Sequence, residues 1–413
     1  MLESPQFNEK PSEMKGDEEN GLEKTKPFHL KFYVTDHSPD DSDAGNPEQL
    51  RNLYEDIKKD GITSVRYDWR WNKIAPKEKG FDQESLVRYA QAAEIMREVG
   101  LEAPTIVLSS IPQWALDLYK TDKEKFFEEY RNYAEQVKNQ LAKSRETTGE
   151  TVSRIQVLNE LNNTVYTPIE GEDIAKLCDM TREVFQEYNS DIKLVGTLFA
   201  GNLPQAISKA TFNRVKLGTE IEEYLETRKE VLEHFDVLAI DYYPGMWHIP
   251  LGEKAENGKE IFKQLGLLQK VMEKVAEMGK EYEIGEVGIQ TNIPLIGEKH
   301  NEDRQRYFYD VFFRAFKKVL LDMQERGIQL PEKVGLYEAV DEEPKNITGK
   351  MLRNLTPFPE HDMGMRKGNL TRKEILKGNR HVSKEKRAET PSQLSKIIHY
   401  MDSPVRIPKK KVE

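Results

Sequence analysis

Two glutamates lie where they could act together on one bond. Glu160 follows the apolar segment Ile155–Asn159, and Glu286 ends the apolar segment Tyr282–Glu286. A pair of carboxyl groups can cleave an acetal when one protonates the leaving oxygen and the other attacks the anomeric carbon or activates a water. A single glutamate at a strand end more often forms an ion pair or caps a helix. The two glutamates can therefore act as a catalytic pair only in a fold that brings these two segments together.

Aromatic residues lie beside other apolar segments of the chain. Flat aromatic faces next to a few polar groups suit the C–H faces of sugar rings, whereas any single tryptophan could instead serve packing. The tryptophans as a cluster predict a carbohydrate-binding cleft. All four are in regions predicted to be loops, and none is in a predicted helix: Trp69, Trp71, Trp114 and Trp247.

These residues can meet only if the segments before them are strands of one sheet. Apolar runs of strand length recur along the chain, and several, such as Val237–Ile240, contain no polar residue. Such runs are typical of parallel strands that are covered on both faces. The predicted strands are Leu30–Thr35, Ile62–Tyr67, Glu102–Leu108, Ile155–Asn159, Lys193–Thr197, Val237–Tyr242, Tyr282–Glu286 and Val334–Glu338.

Amphipathic helical patterns separate the predicted strands. About eight strand–helix units of roughly 40 residues predict an α/β fold, a single (β/α)8 TIM barrel, with functional residues at the C-terminal ends of the strands. The first strand lacks the glycine-rich turn that is typical of an open, doubly wound sheet. The predicted helices are Pro47–Lys59, Gln83–Val99, Glu124–Ala142, Gly171–Tyr188, Gly258–Met278 and Glu302–Arg326.

Charge and composition divide the chain into three parts. Residues 1–27 are polar and lack periodicity, which predicts a disordered segment. Residues 28–382 are predicted to form the barrel, and residues 383–413 are predicted to be a basic, flexible tail. The net charge of −10 disfavours a general affinity for nucleic acid, because phosphate binding needs a basic face. Binding of a nucleic acid or another partner through the tail is the alternative to a tail that lies on the acidic barrel.

Cysteine content and hydropathy bear on where the protein works. The chain has one cysteine, Cys178, so it cannot form an internal disulfide, and its helical context predicts a buried, inert thiol. No basic-then-apolar secretion signal and no apolar run of about 18 residues is present, so we expect no membrane span. The expected location is the cytoplasm, and the expected substrate is one found there.

The strand ends resemble those of a large clan of retaining glycoside hydrolases with (β/α)8 barrels, which includes β-glucosidases, cellulases, mannanases and xylanases. That clan has an Asn-Glu pair after strand four and a Glu after strand seven, and Asn159-Glu160 and Glu286 match these places. The resemblance covers residues 28–380 and assigns no family within the clan. Loop segments that resemble those of the clan are Trp71–Pro76, Gly80–Asp82, Pro112–Trp114 and Pro359–Met365.

The resemblance implies a role for each matching residue. Glu160 would be the acid/base, Glu286 the nucleophile, and Asn159 a ligand of the sugar 2-hydroxyl. Arg66, at the end of strand two, would orient the nucleophile. A tyrosine at the end of strand six would donate a hydrogen bond to the nucleophile, with Tyr243 the first choice and Tyr242 the second.

Two positions depart from the clan pattern. The clan commonly has a tryptophan after strand eight, where this chain has Tyr337, and a histidine after strand three, where it has Ser109-Ser110. These changes affect the expected sugar specificity more than the reaction type. Tyr337 is therefore included with the tryptophans among the predicted substrate contacts.

The resemblance implies an enzyme of carbohydrate metabolism, a glycosidase without cofactor or metal that cleaves β-linked oligosaccharides or small glycosides with retention. One alternative is a catalytically inactive glycan-binding or scaffold protein on the same barrel. A metal-dependent hydrolase is a weaker alternative, because the eight histidines show no ligand spacing, although Asp36-His37 follows strand one. The sugar, the linkage, exo or endo action and the oligomeric state remain open.

Overall fold

Eight parallel strands close into a barrel in the computed structural model. The structure describes residues 22–24, 27–40, 45–149, 152–200, 218–243, 258–288, 302–338 and 392–408. The barrel strands follow one another in chain order around the sheet. They are β2 (Lys31–Asp36), β3 (Ser64–Arg70), β4 (Thr105–Ser109), β5 (Arg154–Val157), β6 (Lys193–Phe199), β7 (Val237–Tyr242), β8 (Glu281–Val287) and β9 (Lys333–Leu336).

Closure comes from the pairing of the first and last barrel strands. Tyr33 of β2 is in register with Gly335 of β9, and both strands run in the same direction. β4, β5, β7 and β9 are buried along their whole length, as continuous apolar runs predict. The α/β fold and the (β/α)8 barrel predicted from the sequence are confirmed, with strand bounds that differ by a few residues.

Helices follow the strands and cover the outside of the barrel. The predicted helix Pro47–Lys59 has the same bounds in the structure, and Asn46 caps it by accepting a hydrogen bond from the Glu48 backbone N–H at 3.0 Å. The helices are α1 (Pro47–Lys59), α2 (Trp71–Ile74), α3 (Gln83–Glu98), α4 (Gln113–Thr121), α5 (Lys123–Thr148), α6 (Gly171–Gln186), α7 (Ile221–Thr227), α8 (Lys229–Leu232), α9 (Gly258–Glu277), α10 (Glu302–Glu325) and α11 (Gln393–Asp402).

The C-terminal part differs from the flexible tail predicted from its polarity. Within it, α11 packs against α10 and buries three apolar side chains that are spaced along one helix face: Leu394, Ile397 and Met401. Lys317 of α10 donates a hydrogen bond to the Ser403 backbone oxygen at 2.6 Å, at the end of α11. Burial lowers the pKa of Lys317 to about 8, although the nearby Asp402 opposes this effect.

The two ends of the described chain are paired. Strand β1 (Leu22–Lys24) lies within the segment predicted to be disordered and pairs antiparallel with β10 (Arg406–Pro408).

Cys178 of α6 is buried, and burial raises the pKa of its thiol well above the usual range, as expected for an inert packing residue. Among the described helices, none is both long and apolar enough to cross a bilayer.

We expect Gly335→Ala to destabilise the closed barrel. A Cβ at this position would meet the backbone oxygen of Gly285 and would lie 2.6 Å from the ring of Tyr33. Overpacking of this kind costs about 1–3 kcal/mol, so the midpoint of thermal unfolding should fall. Gly266→Ala is the matched control because its Cβ would meet nothing within 4 Å on helix α9. An unfolding temperature for Gly335→Ala equal to that of the control would contradict this packing.

Candidate active site

Glu286 lies at the C-terminal end of β8, buried between two donors. Its side chain accepts hydrogen bonds from the guanidinium of Arg66 and from the hydroxyl of Tyr243. Glu286 is only 4% exposed. Burial, followed by the negative charge of Glu286, raises the pKa of Tyr243, so this hydroxyl keeps its proton and acts as a donor. The carboxylate is therefore held in one orientation.

Arg66 connects the strands around Glu286. Besides Glu286, its guanidinium donates to Asn159 Oδ1 at 2.9 Å, to Gln156 Oε1 at 2.6 Å and to Thr35 Oγ1 at 3.2 Å. Burial is the largest single effect and would lower the pKa of Arg66, but Glu286, Asp241, Tyr33 and Asp68 all raise it, and together they make the net shift upward. Arg66 thus stays charged and is fixed in place by four side chains.

Glu160 follows β5 in a tight turn. Its own backbone is in the left-handed region, with φ of 48°, and so is that of Leu158, with φ of 62°. The backbone N–H of Glu160 donates to Thr197 Oγ1 at 2.7 Å, and Asn163 Nδ2 donates to Glu160 Oε2 at 2.7 Å. With 5% of its surface exposed, the side chain of Glu160 is turned into the end of the barrel. The turn after β5 therefore fixes the carboxyl group of Glu160 in position beside Asn159.

The predicted choice between two tyrosines is resolved by their positions. Tyr243 contacts Glu286, as the first choice implied. Tyr242 is fully buried, with its ring 6.0 Å from that of Phe312 of α10. Neighbouring residues of a strand point to opposite faces, so only one of the two side chains could reach the barrel mouth. The predicted substrate contact of Tyr242 is thus corrected to a packing role.

The tryptophans are divided between the core and its edge. Trp69 lies in β3 and Trp71 begins α2, with exposures of 0% and 1%. Trp69 stacks on Tyr89 at 5.4 Å, and Trp71 stacks on Tyr133 at 5.1 Å. Neither ring has a face open to a sugar, which corrects the expectation of stacking for both.

The other two tryptophans have different positions. Trp114 lies in α4, not in a loop, is partly exposed, and donates a hydrogen bond to the Ala75 backbone oxygen at 3.0 Å. Its indole is also edge-on to Trp71 at 5.7 Å. Trp247 and the segment Pro359–Met365 lie outside the described residues. Of the described tryptophans, only Trp114 has partly exposed surface near the strand ends.

A second polar group lies next to the carboxylates and was not predicted. His37 follows β2, and its Nδ1 lies 2.9 Å from Asp68 Oδ2, while Ser109 Oγ donates to Asp68 Oδ1 at 2.6 Å. The ring of His37 is edge-on to Tyr337, which is edge-on to Tyr243 at 5.6 Å. His37 directly follows β2 and Asp68 lies in the C-terminal half of β3, and this closeness to the C-terminal strand ends is the signal that could have found them.

The same group includes atoms that could in principle bind a metal ion. His37, Asp40 and Asp68 each offer one ligand atom within 4.8 Å of the others. Arg70 already lies among them, with Nε 2.7 Å from Asp40 Oδ2 and a terminal nitrogen 3.2 Å from His37 Nδ1. A guanidinium in this place supplies the positive charge that an ion would bring, so the arrangement fits an ion-pair network better than a metal centre.

Comparison with known proteins adds information on the fold. No family model and no curated protein matches the sequence. Solved structures do match. The exo-β-1,4-mannosidase Op5Man5 of Opitutaceae bacterium strain TAV5 is 14% identical with a TM-score of 0.58, over 94% of this chain and 62% of that one. The chain thus spans less than two thirds of the mannosidase.

Two further solved structures are similar over most of the chain. The GH5_18 protein of Bifidobacterium longum subsp. longum is 16% identical with a TM-score of 0.57, over 84% of this chain and 76% of that one. A family 1 β-glucosidase from Thermotoga maritima is 13% identical with a TM-score of 0.55, over 84% and 96%. At these identities the similarity shows a common (β/α)8 fold.

Asp68 generates a prediction about stability and pH. Burial alone would raise its pKa, but the hydrogen bond and charge of His37 and the charges of Arg70 and Arg66 hold it well below the usual range. A carboxyl group with a depressed folded pKa stabilises the protein above its unfolded pKa of about 3.9, and this contribution is lost as the pH falls.

We therefore expect Asp68→Asn to lower the unfolding temperature at pH 7, with a difference from the wild type that shrinks below about pH 4. Thermal unfolding of both proteins across this range is the measurement. Asp191→Asn, at an exposed position after α6, should show no such pH-dependent difference. A destabilisation by Asp68→Asn that is the same at pH 7 and at pH 3.5 would show that Asp68 does not act through its charge.

Proposed function

We propose that this protein is a retaining glycoside hydrolase in which Glu286 is the nucleophile and Glu160 is the acid/base. The observation that carries the proposal is the position of one guanidinium. Arg66 binds Glu286 and also Asn159, the residue directly before Glu160. Two carboxyl groups from β8 and from the turn after β5 are thereby held at the same end of the barrel, where (β/α)8 enzymes carry out their chemistry.

The surroundings of Glu286 suit a nucleophile. Arg66 stabilises its negative charge, and the donors Arg66 and Tyr243 fix the direction of its carboxylate oxygens. In the first step, a Glu286 oxygen attacks the anomeric carbon while the bond to the leaving oxygen breaks. Holding the reacting atoms in place removes much of the entropic part of the barrier.

The surroundings of Glu160 suit an acid that later acts as a base. Asn163 binds one oxygen of its carboxyl group, and Thr197 holds its backbone. Glu160 gives its proton to the leaving oxygen in the first step. In the second step it removes a proton from the water that attacks the glycosyl–Glu286 ester, so the product keeps the configuration of the substrate.

The proposed substrate is a β-linked oligosaccharide or small glycoside. The similar solved structures include a protein named as an exo-β-1,4-mannosidase and one named as a β-glucosidase. These names, together with the two carboxyl groups, support a β-glycoside as the first substrate class to test. Tyr337 is 8% exposed and its ring is edge-on to that of Tyr243 at 5.6 Å, so it is a proposed aromatic contact with the sugar ring.

Glu286→Ala should abolish hydrolysis of aryl β-glycosides, because no other group in the proposed mechanism can attack the anomeric carbon. Added azide should restore turnover of this variant and give a glycosyl azide of inverted configuration, as azide then attacks directly. Release of the phenol and the configuration of the product are measured. Azide rescue with a product of retained configuration would assign the nucleophile elsewhere.

Glu160→Ala should lower kcat/KM for glycosides with poor leaving groups by about 10²–10⁴-fold, because general acid catalysis contributes this much. Substrates with an acidic phenol as leaving group should suffer less, since they need little protonation. Glu84→Gln, a change at an exposed position at the start of α3, is the control for both variants. Equal losses for all leaving groups would remove Glu160 from the acid role.

Tyr243→Phe should reduce kcat/KM by roughly 10–100-fold, because a hydrogen bond to a charged group is worth about 1.5–3 kcal/mol. The loss should appear in kcat more than in KM if the hydroxyl orients the nucleophile during attack. Tyr282→Phe removes a similar hydroxyl that donates to the Gln329 backbone oxygen at 2.7 Å, at the start of β8, and is the matched control. Equal activity of the two variants would argue against the role of Tyr243.

A further inference from the structure

Asp241 is a buried carboxyl group that the mechanism above does not use. It lies in β7, two residues before Tyr243, and has no solvent-exposed surface. Among the residues that the structure describes, neither of its carboxyl oxygens has a hydrogen-bond partner. Buried polar groups in proteins almost always have such partners, so this carboxyl group requires a physical explanation.

Asp241 is directly beside the proposed nucleophile. Across the β7–β8 pair it is in register with Glu286, at an irregularity in the pairing that starts after Ile240. One of its carboxyl oxygens occupies the space where a Cβ on residue 285 would be, and this residue is Gly285. The absence of a side chain at position 285 therefore creates the space in which the carboxyl group of Asp241 lies.

Negative groups outnumber positive groups around Asp241. Its pKa is influenced by Glu286 and Glu283 of β8, by Glu160 after β5 and by Arg66 of β3. Arg66 already binds Glu286, and Glu283 is already paired with Arg154. Asp241 also interacts electrostatically with the phenols of Tyr33 and Tyr243, and burial raises the pKa of both, so they remain uncharged.

An ionised Asp241 would thus be a buried charge without a counter-ion of its own among the described residues. Such a charge costs several kcal/mol, and a carboxyl group in this situation normally binds a proton instead. Burial, and then the negative charge of Glu286, raise the pKa of Asp241 well above the usual range, and the opposing effect of Arg66 is smaller.

We propose that Asp241 carries a proton in the working enzyme and is a positioning residue for Glu286. As a neutral group it fills the space beside the nucleophile and leaves the whole charge of Arg66 to Glu286. When Asp241 loses its proton, Arg66 is shared between two carboxylates, the orientation of Glu286 is less well defined, and turnover falls. The pH at which Asp241 loses its proton is therefore the upper limit of the pH range in which the site is fully active. This kinetic role rests on the proposed function, whereas the proton itself does not.

The bound proton can be tested without any substrate by Asp241→Asn, which keeps the shape and is always neutral. A carboxyl group whose folded pKa is raised binds a proton on folding above its unfolded pKa of about 3.9, so wild-type stability declines as the pH rises. The unfolding temperature of Asp241→Asn minus that of the wild type should therefore increase from about pH 4 to pH 7. Asp241→Leu, an apolar residue of similar size, should show the same trend and serves if the first variant fails to fold.

The infrared spectrum gives a second, direct measurement of the proton. At pH 7 the wild-type protein should show the carbonyl stretch of a protonated carboxyl group that is missing in Asp241→Asn. An unfolding difference that stays constant or decreases from pH 4 to pH 7, or the absence of this band, means that Asp241 is ionised. Either result overturns the proposal, whatever the activity of the protein.

Kinetics test the positioning role. For aryl glycosides, kcat/KM of Asp241→Asn should stay within about threefold of the wild type at neutral pH and should decline at a higher pH on the alkaline side. The acid side of the pH profile should not move. Asp310→Asn removes a buried carboxyl group of α10 that is paired with Arg314 and should leave the whole profile unchanged.

The outcomes separate the proposal from the function on which it rests. A loss of more than about 100-fold at every pH, or a shift of the acid side, would mean that the charge or the proton of Asp241 takes part in the reaction, and the positioning role would be wrong. An alkaline side that coincides with that of the wild type would also overturn it. If neither protein hydrolyses any glycoside, the proposed function fails, while the unfolding and infrared results still decide whether Asp241 is protonated.

Discussion

The ion pair between Arg66 and Glu286 is the interaction on which the candidate site depends. Both side chains are almost completely buried, so each would be very costly without the other. Arg66 also donates hydrogen bonds to Asn159, Gln156 and Thr35, which belong to or follow two other strands. A buried ion pair does not by itself explain stability, but it fixes the relative positions of strands that come from distant parts of the chain.

The closed barrel makes this arrangement possible. The strands are parallel, so their C-terminal ends come together at one end of the barrel, and short turns there can direct side chains inwards. The turn after β5 uses left-handed backbone at Leu158 and Glu160, and it is fixed by a hydrogen bond from the Glu160 backbone N–H to Thr197 and by one from Asn163 to the Glu160 carboxyl group. Strain of this kind is typical of functional sites, where the surrounding structure compensates for it.

Charge is distributed unevenly over this end of the barrel. On one side, Arg66 compensates Glu286, and on the other, Arg70 lies among Asp40, Asp68 and His37. The negative charges of Glu286 and Glu160 both raise the pKa of Asp241, which has no cation of its own among the described residues. The proposed acid, the proposed nucleophile and the proposed neutral carboxyl group thus differ in their surroundings although all three are carboxyl groups.

The pattern of apolar segments determined the fold, because strand and helix periodicity depend on local side-chain order. It also placed Glu160 and Glu286 at strand ends, and the resemblance to a hydrolase clan pointed to Arg66, Asn159 and Tyr243, which the structure places in one hydrogen-bonded group with Glu286. The roles of Trp69, Trp71 and Tyr242 required the tertiary structure, since a residue near a strand end can face either the cleft or the packed helices. The environment of Asp241 and the contacts of His37, Asn163 and α11 were likewise decided only by folding, because burial and charge at these places come from residues far away in the sequence.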